Sequence, residues 1–545
     1  YVPFPFFLAT ASALLRDHGF EVLLVDAIAE GLYADEFLRR LEGWQPDMVL
    51  LETATASHEI DQDWALRLKE RLGDETQVLF CGPHATAIVD DLMTEAPQVD
   101  GVLLGEFEPT LLELCQRLRD GQDPEGILGL VWRDYDNAVH AVKERRALPP
   151  MSDFPWPDRT TLPMYNYFDS FAGAMPWPNV QMHASRGCPF KCIFCVWPQV
   201  VYNSHAYRTR DNEEIVAEMT FLLDRYGFKA IYYDDDTFNI QDNRIIDLCN
   251  RIEAANFGVP ITAMGRADTS SREAFEAMKR AGLVGIKFGV ETGDPEMMKR
   301  IKKHLDLDKV AQAVTWCKEL GLGVHLTFSF GGPGETHESA RKTLDLALAL
   351  DPDTVQFSLM TPFPGTSMYD DALRDGTLLT TNWKQFDGAR YTVVKGQHLS
   401  KDELEQILID AHWRWSLHTL TRQARGQFGR EVAGTVVETA ADLAALAPDS
   451  VELLVLASPT ERVLAEGWLD EVLTRLAPGG RLVLGRSGPD DLPEGWQDEL
   501  LLGWLSEHAL QVDCTLQGFN HDLFLSAARS AMPSLAKLLA RIKAN

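Results

Sequence analysis

The chain has 545 residues, of which 45% are hydrophobic and 24% charged, and its formal net charge is −30. This size and composition exclude a disordered, collagenous or disulfide-dependent small protein, and they predict about three or four globular domains at roughly 100–200 residues each. A surface this acidic repels a phosphate backbone, so no nucleic acid partner is expected.

The most apolar stretches, such as residues 22–25 and 48–51, are far shorter than the ~18 residues needed to cross a bilayer. The sequence therefore predicts a soluble, cytoplasmic protein with no membrane span. Because the chain begins with Tyr1 rather than Met, further residues are expected before it.

Residues 1–150 alternate short apolar strands with helices, which is the pattern of a doubly wound α/β domain. The predicted strands are Glu21–Asp26, Met48–Leu51, Val78–Cys81 and Gly101–Leu104. The predicted helices are Leu8–Gly19, Ala34–Glu42, Asp63–Leu72 and Thr110–Leu118. No G-x-G-x-x-G motif follows a strand, so a dinucleotide site is not supported.

Small, hydroxyl-bearing and acidic residues follow these predicted strands. They are Thr53, Thr55, Ser57, Gly82, Pro83, His84, Gly105, Glu106 and Glu108. The small side chains leave room for a large flat ligand with amide edges, so we predict that this set binds a cofactor. For His84, a hydrogen-bonding role is favoured over metal ligation.

Cys188, Cys192 and Cys195 form a C-x3-C-x2-C motif in a predicted loop. Three thiolates this close together indicate a metal site. Structural zinc normally has four protein ligands, and His205 is the nearest candidate for a fourth; a redox disulfide is a further alternative. A [4Fe–4S] cluster on three cysteines would leave one iron open for an exogenous ligand. The remaining cysteines are predicted to be small buried residues: Cys81, Cys115, Cys249, Cys317 and Cys514.

The cysteine motif, with Phe194 directly before its third cysteine, resembles the signature of the radical S-adenosylmethionine (SAM) superfamily. The resemblance implies that Cys188, Cys192 and Cys195 bind a [4Fe–4S] cluster whose fourth iron chelates SAM. It also implies a flavodoxin- or ferredoxin-type electron donor. Electron transfer would split SAM into methionine and a 5′-deoxyadenosyl radical, and Phe194 would lie at the cofactor site.

From residue 179 onward, strands alternate with helices such as Glu214–Tyr226, which has one apolar face. Asp211-x-x-Glu214 and Ser270-x-x-Glu273 are predicted capping boxes. Successive β/α units predict a parallel sheet, and an open, partial (β/α)6 barrel is the fold that the resemblance implies. The predicted strands are Val180–Ser185, Ala230–Tyr233, Pro260–Met264, Gly285–Val290, Val324–Phe330 and Thr354–Met360.

Polar and glycine residues follow these strands, at the edge where parallel α/β folds collect their chemistry. The candidates for cofactor binding are Asp234, Asp235, Asp236, Arg266, Glu291, Gly331 and Gly332. The resemblance implies that the three aspartates contact the amino group of SAM, the glutamate its ribose, and the glycines its adenine. A solvated turn or helix cap, a surface charge and an ordinary loop are the respective alternatives. No residue is identified as catalytic.

The N-terminal domain is similar to the cobalamin-binding half of B12-dependent radical SAM enzymes. The similarity rests on the order Q-P-D-M-V-L-L, G-P-H-A-T, V-D-G-V-L-L-G-E-F-E and L-P-P-M-S-D-F-P-W-P-D, and with the radical SAM half it covers about residues 1–395. It implies cobalamin without a protein histidine on cobalt, since no D-x-H-x-x-G surrounds His18, His58 or His84. A domain that has lost cobalamin and serves as a scaffold is the alternative.

Residues 400–430 are predicted to form a helical segment that is either core or a substrate lid, with His412, Trp413, Trp415 and His418. Beyond it, strands Val451–Ala457 and Arg481–Leu484 flank a predicted helix, Glu461–Leu476. The region after this helix resembles the late part of a Rossmann methyltransferase but lacks a glycine-rich SAM loop. It is predicted to be a degenerate module for docking or capping.

The predicted organisation is a Rossmann-like cobalamin-binding domain (1–150), a linker (151–178), a partial radical SAM barrel (179–399) and a C-terminal helical and small α/β region (400–545). The resemblance implies a methyltransferase that acts on an unactivated carbon of a small-molecule or natural-product substrate, with two SAM per turnover. An oxidative cyclase or ring-rearrangement enzyme with the same cofactors is the main alternative. A non-enzymatic cofactor-binding protein is a third.

Overall fold

The computed structural model describes residues 2–41, 43–168 and 175–428, together with strands between residues 434 and 529. The chain forms two units, residues 1–411 and residues 412–545. Among the described residues, no helix combines the length and the apolar character needed to cross a membrane.

The N-terminal sheet has the strand order β1-β2-β3-β4-β5, in which β1 to β3 are parallel and β4 and β5 are antiparallel additions. The strands are β1 (Met48–Glu52), β2 (Gln77–Cys81), β3 (Gly101–Leu103), β4 (Leu130–Arg133) and β5 (Val139–Val142). The helices of this domain are α1 (Phe6–Asp17), α2 (Ala27–Glu30), α3 (Ala34–Arg40), α4 (His58–Leu72), α5 (Pro83–Ala87), α6 (Val89–Glu95) and α7 (Glu108–Arg119).

Alternate residues of β2 belong to hydrophobic cores on opposite faces of this sheet. Val78 and Phe80 pack with residues of α4 and α6, whereas Leu79 and Cys81 pack with residues of α1 and α7. A strand that is buried on both faces is apolar along its whole length. The doubly wound prediction is confirmed.

The predicted strand at Glu21–Asp26 is wrong, because residues 21–26 join no sheet in the structure. The Leu24 carbonyl accepts a hydrogen bond from the Thr161 hydroxyl at 3.2 Å instead of pairing with a strand. The Asp26 carboxylate accepts from the Ala29 backbone N–H at 2.9 Å and caps α2. The apolar character of this segment thus reflects side-chain packing, since Leu24 is buried.

The second sheet is a run of parallel strands in the order β13-β12-β11-β10-β9-β6, so chain neighbours are also spatial neighbours. The strands are β6 (Asn179–Met182), β9 (Ala230–Tyr233), β10 (Ile261–Gly265), β11 (Leu283–Glu291), β12 (Gly323–Phe330) and β13 (Thr354–Leu359). The helices are α8 (Asn212–Tyr226), α9 (Asp242–Ala255), α10 (Arg272–Arg280), α11 (Pro295–Arg300), α12 (Leu307–Glu319), α13 (His337–Leu350) and α14 (Ser367–Arg374). Because β6 and β13 do not pair with each other, the barrel is open, as predicted.

Two local predictions in the barrel need correction. The strand predicted at Val180–Ser185 ends at Met182, and Ser185 belongs to a separate short hairpin of β7 (Ser185–Arg186) and β8 (Arg208–Thr209). The cap of α10 is Ser271, whose hydroxyl accepts from the Ala274 N–H. Ser270 is unsuited to that role because its hydroxyl is hydrogen-bonded to Asn239.

The C-terminal region contains the long helix α15 (Lys401–Phe428), which confirms the predicted helical segment. The described strands beyond it have the order β14-β15-β16-β18-β17, with β14 to β16 parallel. They are β14 (Gly434–Val437), β15 (Val451–Leu456), β16 (Leu476–Leu484), β17 (Leu510–Thr515) and β18 (Phe524–Arg529). Of the helix predicted at Glu461–Leu476, residues 461–475 lie outside the described residues, and Leu476 begins β16.

Candidate active site

Cys188, Cys192 and Cys195 lie in the loop between β7 and β8, and all three are partly buried free thiols. The side-chain amide of Gln199 donates to the carbonyl oxygens of three loop residues, including Cys192 and Cys195, at 2.9 to 3.1 Å. Its oxygen accepts from the Ser367 N–H at 2.8 Å, at the start of α14. Hydrogen bonds from the Gln199 side chain to backbone groups therefore shape this loop. Sequence reasoning missed Gln199 because it belongs to no recognisable motif.

Burial affects the protonation of two of the three thiols. Burial raises the pKa of the Cys192 thiol, with Lys303 and Arg266 acting against the increase, and burial also raises the pKa of Cys195. Iron binding would displace these protons. Among the described residues, no three His, Cys, Asp or Glu side chains converge as ligands of one ion. In a cubane each cysteine binds a different iron, so the thiols need not converge.

Asp235 supports the start of the cysteine loop from the end of β9. Its side chain is almost completely buried, and it accepts hydrogen bonds from the Ala184 N–H at 3.1 Å and from the Ser185 hydroxyl. Burial raises the pKa of Asp235 to about 7, against the effect of these hydrogen bonds. The neighbouring Asp234 is half-buried, and its N–H donates to the Met182 carbonyl at 2.9 Å.

Asp236, the next residue in the chain, holds the same loop at Gly187. Its carboxylate accepts from the Gly187 N–H at 2.8 Å and from the Tyr202 hydroxyl at 3.0 Å. Gly187 has a φ of +92°, and a Cβ there would lie 2.1 Å from the Ala206 carbonyl oxygen, so this position requires glycine. The structure thus gives Asp235 and Asp236 protein partners in the loop, and the contact predicted between the aspartates and SAM stays a prediction.

Arg266, after β10, lies against the cysteine loop. Its guanidinium is 3.7 Å from the ring centroid of Phe190, donates to the Lys303 carbonyl at 2.9 Å and pairs with Asp268 at 2.6 Å. Phe194, another aromatic residue of the loop, is half-buried. Arg266 is therefore held by Phe190 of the loop and by Asp268 and Lys303 outside it, and its contact with a cofactor stays a prediction.

Glu291 ends β11 at a register shift with β12 and has a φ of +72°, which is unusual for a residue with a side chain. Its carboxylate accepts from the Lys303 ammonium at 2.7 Å and from the Ser329 hydroxyl at 3.1 Å. Burial lowers the pKa of Lys303, but the neighbouring Glu291 carboxylate raises it, and the pKa of Lys303 is raised overall. Strained backbone at a strand end is typical of functional sites, which is consistent with the predicted SAM contact.

The glycines after β12 have a packing role. A Cβ at Gly332 would lie 2.8 Å from the Met297 methyl group, so a larger residue here would need this methionine of α11 to move. The Gly331 N–H donates to the Glu335 carboxylate at 3.3 Å. The predicted approach of their backbone to adenine stays a prediction.

The predicted cobalamin-side residues come together at the ends of β1, β2 and β3. The Thr53 N–H donates to the Cys81 carbonyl at 3.0 Å, and a Cβ at Gly82 would lie 2.7 Å from the Thr53 carbonyl oxygen. The Gly105 N–H donates to the Thr86 hydroxyl at 2.9 Å. The three loops are therefore in direct contact, as a shared ligand site requires.

Residues Thr55, Ser57 and Pro83 have local structural roles in these loops. Thr55 is buried, and the Ser57 hydroxyl donates to the Asp61 carboxylate at 2.7 Å in α4. Pro83 occupies the first turn of α5, where its missing N–H costs nothing. A contact of these residues with cobalamin stays a prediction.

His84 is buried with its hydrogen-bonding capacity unused. Its ring lies 4.5 Å from that of His58 and 4.9 Å from that of Trp383, and neither ring nitrogen has a hydrogen-bond partner among the described residues. Burial, with a contribution from His58, lowers the pKa of His84 to about 3. The imidazole is thus neutral at physiological pH and can donate one hydrogen bond and accept one.

Glu106 and Glu108, predicted as cofactor contacts, bind arginines of the β7–β8 hairpin, and their contact with a cofactor stays a prediction. Glu106 accepts from Arg186 and Arg208, and Glu108 accepts from Arg186. Sequence reasoning missed both arginines, because their partners lie about 80 and 100 residues earlier in the chain.

Two family models match the two parts of the chain that carry these residues. Residues 2–115 match the B12 binding domain, and residues 182–347 match the Radical SAM superfamily. The uncharacterized methyltransferase PH0819 of Pyrococcus horikoshii is 31% identical over 408 residues, which is 75% of this chain and 86% of that protein. The chain belongs to the cobalamin-dependent radical SAM methyltransferases. It is an enzyme whose cofactors are a [4Fe–4S] cluster, SAM and cobalamin.

Further relatives of this methyltransferase differ in their reactions. Cytidylyl-2-hydroxyethylphosphonate methyltransferase of Streptomyces wedmorensis is 25% identical, over 68% of this chain and 78% of its own length. Anaerobic magnesium-protoporphyrin IX monomethyl ester cyclase of Rubrivivax gelatinosus is 23% identical, over 67% of this chain and 66% of its own length.

A solved structure shows the same fold. The radical SAM methyltransferase TsrM of Kitasatospora setae, with tryptophan substrate and the SAM analog aza-SAM bound, superimposes with a TM-score of 0.57. The sequence identity is 20%, and the match covers 69% of this chain and 74% of TsrM. The predicted α/β architecture is therefore confirmed.

We expect Cys188→Ala, Cys192→Ala and Cys195→Ala each to abolish the cluster and the formation of 5′-deoxyadenosine, since a cubane with two protein ligands should not persist. Iron and sulfide content of anaerobically reconstituted protein measures this. Cys249→Ala and Cys317→Ala, in α9 and α12, are matched controls and should retain full iron. Full iron and unchanged SAM cleavage in any loop variant would refute the assignment.

We also expect cob(II)alamin bound to the enzyme to show an electron paramagnetic resonance spectrum without nitrogen coupling from a protein imidazole. His84 and His58 are packed ring against ring, and neither has the sequence context of a cobalt-ligating histidine. Nitrogen coupling that disappears in His84→Phe or His58→Phe, but persists in the control His205→Phe at an exposed position, would show that this assignment is wrong.

Proposed function

We propose that the enzyme methylates an unactivated carbon of a small-molecule substrate and consumes two SAM per product. The observation that carries this proposal is the contact between the cysteine loop and the strand-end loops of the B12-binding domain, where Arg186 donates to Glu106 and Glu108 at 2.8 Å. When bound, the cluster with SAM supplies a carbon radical and cobalamin supplies a methyl group.

The residues of the chain hold and shield the reacting groups. Asp235, Asp236 and Gln199 hold the cysteine loop through hydrogen bonds to its backbone and to the residues at its start. We assign Glu291 and Arg266 to SAM, because both are buried at strand ends beside this loop. Burial excludes water, which would otherwise weaken the polar contacts.

The stoichiometry requires an external electron donor. One SAM yields S-adenosylhomocysteine after losing its methyl group, and the other accepts an electron and a substrate hydrogen to yield methionine and 5′-deoxyadenosine. The sum, R–H with two SAM and two electrons, gives R–CH3, S-adenosylhomocysteine, methionine and 5′-deoxyadenosine. We propose that a flavodoxin- or ferredoxin-type protein supplies the electrons in the cytoplasm.

A small-molecule substrate is consistent with the relatives, which include a cytidylyl-phosphonate methyltransferase and a structure with tryptophan bound. A second candidate function is oxidative cyclisation or ring rearrangement with the same cofactors. The observation in its favour is the relationship to the magnesium-protoporphyrin IX monomethyl ester cyclase.

Counting products separates the two functions. For methyl transfer we expect S-adenosylhomocysteine and 5′-deoxyadenosine in about equal amounts, because each product consumes one SAM by each route. Label from the SAM methyl group should enter the product. Mass spectrometry after anaerobic incubation with candidate substrates measures both.

Reactions without substrate and reactions of Cys192→Ala provide the background for this measurement. Substrate consumption with unlabelled product and background S-adenosylhomocysteine would exclude methyl transfer and support the cyclase or rearrangement function.

A further inference from the structure

The side chains of Glu106, Glu108, Arg186 and Arg208 form a buried ion-pair network between the N-terminal domain and the cysteine loop. Arg186 donates to one oxygen of each glutamate at 2.8 Å, and Arg208 donates to Glu106 at 2.8 Å. The Arg186 side chain is 3% exposed and that of Glu108 is fully buried. Two positive and two negative charges balance, which a buried network requires.

The network closes the hairpin that carries the cysteines. Arg186 and Arg208 are direct partners in the antiparallel pair of β7 and β8, and these strands enclose residues 187–207. Like charges directly opposite each other destabilise such a pair. Glu106, from the other domain, accepts hydrogen bonds from both arginines and removes this repulsion. The base of the cysteine loop therefore depends on the N-terminal domain.

Arg186 also contacts one aromatic ring of the N-terminal domain and one of the linker. Its guanidinium lies 4.5 Å from the ring centroid of Phe7 and 4.7 Å from that of Phe154, and it donates to the Thr10 hydroxyl at 3.3 Å. The next residue, Gly187, is held by Asp236 of the barrel. The start of the loop is thus fixed to both domains within two residues.

The same network reaches the predicted cobalamin site through the chain. Glu106 directly follows Gly105, whose N–H donates to the Thr86 hydroxyl in α5, the helix that follows β2. A shift of Glu106 would therefore disturb both the cysteine loop and the strand-end loops at which cobalamin is predicted to bind.

We propose that this network sets the position of the cysteine loop relative to the cobalamin-binding loops, so that Glu106, Glu108 and Arg186 are positioning residues for methyl transfer. The inference rests on the proposed function. Small misplacements of reacting groups lower rates steeply, and a buried arginine–glutamate network fixes direction as well as distance.

The test uses a charge-balanced variant, Arg186→Met/Glu108→Gln, which leaves the Glu106–Arg208 pair intact and no uncompensated buried charge. The matched control, Lys69→Met/Asp100→Asn, removes a mostly buried ion pair of 2.6 Å that lies wholly within the N-terminal domain. Hydrogen exchange is followed by mass spectrometry in the full chain carrying two of its cofactors, the [4Fe–4S] cluster and cobalamin.

In the network variant we expect peptides from residues 185–209 and 104–111 to exchange at least ~10-fold faster, because the local contact that protects both segments is lost. In the control, the exchange rates of these peptides should be unchanged. The reduced cluster should also broaden the electron paramagnetic resonance signal of cob(II)alamin to a different extent in the network variant than in the unmodified enzyme. Labelled product should fall by ~10- to 100-fold, while 5′-deoxyadenosine formation stays within roughly threefold.

If the network variant does not retain iron, the exchange measurement is repeated with Glu108→Asp. This variant keeps every charge of the network and shortens the side chain at position 108 by one methylene group, which moves its carboxylate away from Arg186. It should load both cofactors and still speed exchange in both segments. Unchanged exchange in both variants would overturn the proposal.

Hydrogen exchange requires no substrate, so the two proposals can fail separately. Faster exchange in both segments without any methyl transfer by the unmodified enzyme would contradict the proposed function alone. Labelled product from that enzyme with unchanged exchange in the variants would contradict the positioning role alone.

Discussion

The hydrogen bonds from Arg186 to Glu106 and Glu108 join the part of the chain that binds the cluster to the part that binds cobalamin. Burying such charges is costly, and ion pairs of this kind often add little net stability. Their directional geometry makes them suited to fixing one arrangement. The loop that follows Arg186 then meets Asp236, so its start is held by both the N-terminal domain and the barrel.

The rest of the site follows from this fixed loop. Gln199 gathers the carbonyl groups around the cysteines, and Arg266 packs on Phe190 within the loop. Glu291 is held at a strained strand end by Lys303. These contacts place buried polar groups beside the three thiols without using the thiols themselves, which is how a protein can supply placement while cofactors supply the chemistry.

The sequence predicted the elements whose pattern is local and missed the contacts that are not. Buried parallel strands such as β2 are apolar over nearly their whole length, here from Val78 to Cys81, and their sequence predicts them correctly, whereas β5 is mostly exposed and gives no such pattern. The segment Glu21–Asp26 resembles a strand in sequence because side-chain packing alone makes it apolar. The cysteine motif was recognisable from spacing. The arginine partners of Glu106 and Glu108 are not recognisable from the sequence, because pairing across about 80 residues leaves no local pattern.

We infer that the cysteine loop and the strand-end loops of the N-terminal domain form one site. An anaerobic crystal structure of the reconstituted enzyme with SAM and cobalamin tests this inference. We expect a [4Fe–4S] cluster on Cys188, Cys192 and Cys195 with its open iron bound to SAM. We also expect cobalamin at the loops of Thr53, Gly82 and Gly105, with Arg186 still bound to Glu106 and Glu108. A fourth protein ligand on the cluster, or cobalamin bound elsewhere on the chain, would contradict it.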